Sequence, residues 1–184
     1  MRLFFHHVGQ AGSDRDFPKT VFREVPITVV EDNIPPDNPH RDLVIKSLWE
    51  LFPSGRFNCW GVPAGAKYVI QHLSPGDYVL LVESVRIDGD IPALCQVEAF
   101  WPYEFPRLSD ALWGESKFPY IFYFRTEPLD LPWIAFLEDV LYKPNFDPRG
   151  KFYSVSPARL AQYGGEAGFV RHARAAYSLY KQPF

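Results

Sequence analysis

The sequence lacks the signatures of the common enzyme classes. Its 184 residues contain no Gly-x-x-x-x-Gly-Lys-Ser/Thr phosphate loop, no Gly-x-Gly-x-x-Gly turn, no Gly-x-Ser-x-Gly elbow and no His-Glu-x-x-His pair. The chemistries those motifs support are therefore not expected. Cysteine is scarce: Cys59 and Cys95 are the only two. That is too few for a disulfide framework or a Cys-rich zinc site, and both sit in apolar, strand-like surroundings. Free buried thiols fit a reducing cytoplasm, where the protein is expected to reside. No apolar run approaches the ~20 residues of a membrane span. The start, Met1-Arg2-Leu3-Phe4-Phe5-His6-His7, has no long apolar core or cleavage site of a signal peptide, so no membrane partner is expected. The five histidines, His6, His7, His40, His72 and His172, are not at close ligand spacing with cysteines or carboxylates. No metal or other cofactor is expected. The net charge of −3 excludes a generally basic coat but not a local basic patch.

What the chain has in abundance is aromatic side chains, 17% of residues, with five Trp and ten Tyr. Such content suits a β-rich core and equally supplies flat faces on which nucleobases stack. Read in order, Arg2 to Val8 predicts a strand, residues 9–16 a polar Gly-containing loop, and Val21 to Glu31 a second strand with Val25, Ile27 and Val29 on one face. A helix is expected from about Pro39 to Leu51, ended by Pro53-Ser54-Gly55. Arg56 to Cys59 is strand-like, and Pro63 suits a first helical turn. Tyr78 to Arg86 and Ile91 to Tyr103 form a hairpin around Asp88-Gly89. Residues 104–117 break the pattern and predict a long loop carrying Trp113, the kind that often holds function. Tyr120 to Phe124 is a strong strand, and Pro128 to Val140 a proline-broken amphipathic segment. Gly168 to Tyr180 is a last helix with Phe169, Ala173, Ala176 and Tyr177 inward and Arg171, His172 and Arg174 outward. The expectation is one α+β domain over 1–184, built on a curved, barrel-like, mostly antiparallel sheet with flanking helices.

Two chemistries can be drawn from these residues. Cys59 with His72 is a minimal thiol apparatus, but no third group is apparent to orient His72, and an enzyme is not the expectation. The other is recognition. Trp60, at the end of one strand, and Trp113 and Phe118, around another strand–loop junction, would form an aromatic box if the junctions meet. A flipped base would stack there, with a methyl group against the remaining walls. Stacking is worth ~1–3 kcal/mol per base, against a few kcal/mol to unstack one. Backbone contacts must supply the surplus, and Arg56, Lys67, Arg86, Arg107 and Lys117 are the candidates.

Asn58-Cys59-Trp60, followed by a helix and the strand Tyr78-Val79-Leu80-Leu81, resembles the Asn-x-Trp start of YTH domains, members of the PUA/EVE superfamily that read adenine methylated on its exocyclic nitrogen. Trp113 and Phe118, just before the strand Tyr120 to Phe124, stand where that family places its second Trp and a further large residue. The resemblance covers roughly Phe57 to Arg125. It implies a methyl cage of Trp60, Trp113 and Phe118, Asn58 on the base edge or bracing the pocket, and the Gly61 carbonyl facing the amine. Among relatives the chain is most similar to the amino-terminal DNA-binding domain of archaeal McrB-type restriction proteins. That similarity implies a non-catalytic reader of methylated double-stranded DNA, 6-methyladenine first, at the front of a longer AAA+ GTPase whose partner is a McrC-type nuclease. A reader of methylated RNA is the alternative.

Overall fold

The computed structural model describes residues 1–148 and 152–180. In chain order the elements are β1 (Leu3–His7), α1 (Gln10–Thr20), β2 (Val25–Pro26), α2 (Ile27–Asn33), α3 (Arg41–Leu51), β3 (Arg56–Val62), α4 (Lys67–Ile70), β4 (Tyr78–Val82), β5 (Asp90–Phe100), α5 (Pro106–Trp113), β6 (Tyr120–Pro132), α6 (Trp133–Asp139), β7 (Phe152–Ser154) and α7 (Glu166–Tyr177). Hydrogen-bonded strands follow the order β2-β3-β6-β5-β4-β1-β7 in a seven-stranded sheet, so the α+β class holds. The chain divides into two units, one of residues 1–13, 76–96 and 126–184, the other of residues 14–75 and 97–125, and β5 and β6 run through both.

In the first unit β4 is central. It pairs parallel to β1, with Phe5 opposite Leu80, and antiparallel to β5, with Leu80 opposite Leu94. β7 adds antiparallel to β1, stacking Tyr153 on Phe5 at 5.1 Å. Tyr78-Val79-Leu80-Leu81-Val82 is wholly buried, as a strand covered on both faces must be. Trp133, Phe136 and Phe169 close the core from α6 and α7. On α7, Phe169 and Ala173 are buried as expected, but Ala176 is exposed. Arg174 does not face away: its guanidinium pairs with Glu127 and donates to the Tyr78 hydroxyl.

The second unit holds β3 between β2 and the first half of β6, both antiparallel; Trp60 lies opposite Phe122 and Gly61 opposite Ile121. Its core draws Ile27, Val30 and Ile34, Val44 and Leu48, Phe57 and Cys59, and Leu108, Leu112 and Trp113 together. Here three expectations are corrected. Residues 9–16 are not a loop: α1 begins at Gln10. Only Val25–Pro26 of the expected second strand is extended, and Ile27 onward is helix. The β-branched run reads as alternation, but Ile27, Val30 and Ile34 also fall three and seven residues apart, and packing selects that helical face. Residues 106–113 are likewise helix, with Pro106 in its first turn and Gly114 ending it in the left-handed region at φ 75°, the asymmetry expected of a helix's two ends.

Candidate aromatic cluster and its charged rim

Strand alternation points Asn58 and Trp60 to one face of β3. α1 covers that face. Its C-terminal carbonyls lack helical partners, and the Asn58 amide supplies two donors, to Val21 O at 2.9 Å and Thr20 O at 3.3 Å. Asn58 therefore braces the end of α1, one of the two roles implied for it. Thr20 in turn accepts the Trp113 indole N–H at 3.2 Å.

The rings that the sequence places in one box do meet. Trp60 and Trp113 lie 5.8 Å apart at 62°, and Trp113 and Phe118 6.0 Å apart at 86°. Phe17, from α1, sits edge-on to Trp60 at 5.2 Å and 77°. They meet as a closed cluster rather than an open box. Trp60 is 5% exposed and Trp113 4%, and edge-to-face packing leaves no slot between them. A base sandwiched between two rings needs parallel faces about 7 Å apart, two contacts of ~3.5 Å. Gly61 is what lets Trp113 lie so close to β3: a Cβ there would fall 2.6 Å from Trp113 Cζ3 and 2.7 Å from the Phe118 carbonyl oxygen. Among the described residues the buried Trp60 N–H has no hydrogen-bond partner.

From Gly114 the chain loops back to Phe118. Buried Ser109 ties this loop at both ends: its hydroxyl donates to the Glu115 carbonyl and accepts the Phe118 N–H at 3.2 Å. Charges then lace the loop to α1. Arg15 pairs with Asp16 at 2.6 Å and Glu115 at 2.7 Å, Lys19 with Asp16 at 2.9 Å, and Lys117 with Glu115. Burial raises the Asp16 pKa, but hydrogen bonds from Arg15 and Lys19 outweigh it and hold the carboxyl below its ordinary value. Hydrogen bonding from Lys117 chiefly, with Arg15, does the same for Glu115 against the opposing effect of burial.

Of the candidate phosphate contacts, Lys117 is on this rim. Lys67 sits over the Tyr120 ring at 5.5 Å. Arg107 lines an open cleft of about 530 Å³ with Asn33, Asp110 and Ser116. Arg56 is exposed beside the Glu24 carbonyl. Arg86 belongs to the other unit, its N–H donating to the Ser84 hydroxyl. The thiol reading fails on accessibility: Cys59 is 0% exposed and burial pushes its thiol far above the ordinary value, whereas a reactive cysteine needs an accessible thiolate. His72 is exposed and meets Tyr68 edge-on at 6.1 Å. Among the described residues no group of three or more potential metal ligands occurs, and no helix is long and apolar enough to cross a membrane.

Sequence reasoning missed Phe17, Thr20, Arg15, Asp16 and Lys19, because it read the first half of α1 as a loop. The signal was a stripe at helical spacing, Ser13, Asp16, Phe17 and Thr20, all buried. It is made of polar residues apart from Phe17, so a hydrophobic pattern does not reveal it.

No protein-family model and no curated protein matches the sequence. The fold does match a solved structure, the N-terminal domain of McrB from Thermococcus gammatolerans bound to m5C DNA. The TM-score is 0.64 at 18% identity, covering 88% of this chain and 94% of that one.

Proposed function

We propose that this chain is a non-catalytic reader of a methylated base in duplex DNA, taking the extruded base among Trp60, Trp113 and Phe118. The observation that carries the reading is the ring cluster itself. Three aromatic rings, Trp60 of β3, Trp113 at the end of α5 and Phe118 of the loop after it, converge around a buried indole N–H that lacks an acceptor among the described residues. An unmade hydrogen bond of that kind costs ~1–3 kcal/mol, and the edge of a nucleobase offers acceptors. The McrB N-terminal domain, similar in fold and bound to m5C DNA, supports the same reading.

In this reading the closed cluster is the resting state, and base entry swings the Phe118 ring away from Trp113, which stays bonded to Thr20. Stacking at ~1–3 kcal/mol roughly offsets base extrusion. The methyl group adds about 1 kcal/mol by burial, a preference near fivefold. That neighbour's ligand favours 5-methylcytosine; the Asn58-Cys59-Trp60 motif favours 6-methyladenine. By the same likeness the chain serves as the targeting part of a McrBC-type restriction system, with an AAA+ GTPase motor and a McrC-type nuclease supplied elsewhere.

The test is a binding panel at one stated salt concentration, since phosphate contacts make affinity salt-dependent. Duplexes carry 5-methylcytosine, 4-methylcytosine, 6-methyladenine or no modification, with methylated RNA of the same sequence as a fifth arm. Tighter binding to one modified duplex, lost in Phe118→Ala with the fold intact, is the expected result. Equal binding across the panel overturns it. The enclosure of both indoles favours one other reading, in which the rings are core alone and Phe118→Ala changes stability but no binding.

A further inference from the structure

We propose that Arg15, Lys19 and Lys117 form a contact site for the nucleic-acid phosphodiester backbone, which Glu115 occupies as an internal stand-in until DNA displaces it. The inference rests on the reading of this chain as a DNA-binding domain. Only Lys117 among these is a candidate from the sequence; the folding of α1 adds the other two.

The geometry separates the two carboxylates by role. Asp16 is 2% exposed and grips Arg15 and Lys19 together, so it is a fixed part of the framework. Glu115 is different. Its side chain is 27% exposed, and its partners Arg15 and Lys117 are 47% and 60% exposed. Ion pairs this open to water contribute little net stability, and a polyanion that releases counterions on binding competes with them readily. The guanidinium of Arg15 presents a planar fork that accepts a carboxylate or a phosphate in the same way. Nε and Nη2 of Arg15 stay on Asp16 while Nη1 is handed from Glu115 to phosphate.

The exchange has a consequence for the rings. Glu115 sits in the loop that ends at Phe118; its ion pair with Arg15 ties that loop to α1, and its pair with Lys117 lies within the loop. α1 itself stays anchored through Asn58 and Thr20. Displacing Glu115 removes the loop's side-chain tie to α1, while Ser109 still holds the loop backbone at Glu115 and Phe118, so the movement left open beside the phosphate site is a turn of the Phe118 ring away from the edge of Trp113.

The experiment measures binding of methylated and unmethylated duplexes against salt for the unaltered chain, Arg15→Gln and Glu115→Gln. Arg15→Gln is expected to weaken both duplexes by the same factor and to flatten the slope of log K against log salt by about 0.9, one phosphate contact. Glu115→Gln is expected to tighten both several-fold with the methyl preference retained. Failure of either result overturns the phosphate site while leaving the reader standing. A chain that binds no duplex, or binds all alike, overturns the reader and this inference with it. If Arg15→Gln does not fold, Lys117→Gln, at an open position, carries the same expectation of a flatter slope.

Discussion

Replacing each indole by a phenyl ring distinguishes two tryptophans that look alike by burial. Trp60 is 5% and Trp113 4% exposed, so Trp→Phe removes a similar apolar area from each. Two carbon equivalents at ~0.8 kcal/mol apiece make about 1.6 kcal/mol. The N–H groups differ. Trp113 donates to Thr20 at 3.2 Å, and losing that bond adds ~0.5–1.5 kcal/mol. Trp60 has no acceptor among the described residues. The folded chain then already bears ~1–3 kcal/mol for an unmade bond, which phenylalanine removes. Trp60→Phe is expected within about 1 kcal/mol of the unaltered protein, and Trp113→Phe about 2–3 kcal/mol below it. At this chain length each kcal/mol shifts Tm by ~2–4 °C. Urea unfolding of the two variants side by side measures the gap. Equal losses would refute the reasoning, because the Trp60 N–H would then have an acceptor in the folded state. A folded Trp60→Phe should also lose preference for the methylated duplex.

Two further outcomes follow from the packing and the charges. Gly61→Ala pushes a methyl group into Trp113 and the Phe118 carbonyl. It should cost ~1–3 kcal/mol by overpacking, and an unchanged urea midpoint would rule out the close approach. The Asp90 carboxyl is raised above its ordinary value by burial first, then by Asp130 and Asp88. A raised carboxyl pKa means that the charged form is less favourable in the folded state than in the unfolded one. Its penalty is full at neutral pH and fades as pH falls through the raised value. Asp90 is exposed, so solvent screens much of this penalty, and Asp90→Asn should raise Tm at pH 7 only slightly, by about 1 °C. The gain should shrink toward pH 3.8, and a gain constant over that range would refute the linkage.

The parts of the fold that show in the sequence are those where apolar pattern and turn chemistry agree. The run Tyr78 to Val82 and its Asp-Gly hairpin partner are strands where expected, as is the helix ended before Gly55. The meeting of Trp60, Trp113 and Phe118 also follows from reading two strand–loop junctions as neighbours. α1 escapes notice because Ser13, Asp16 and Thr20 are buried polar residues, satisfied by hydrogen bonds and ion pairs that only the fold supplies. α2 escapes because a β-branched run carries both periods at once. The length of β6 is hidden by Pro128, which a strand tolerates only in special positions. The closure of the rings could not be read at all. It depends on Gly61 admitting Trp113, and on Phe17 arriving from a segment taken for loop.

The parallel pairing of β1 with β4 sets Phe5 against Leu80, and that has consequences during synthesis. Leu3-Phe4-Phe5 is synthesised well ahead of its partner strand, which lies about 75 residues further along the chain. At ~5–20 residues per second the apolar strand waits roughly 4–15 s before Tyr78 to Val82 exists, and longer for β7. Over that interval it is a naked apolar edge of the kind that recruits wrong partners, and the growing chain is open to mispairing until β4 arrives.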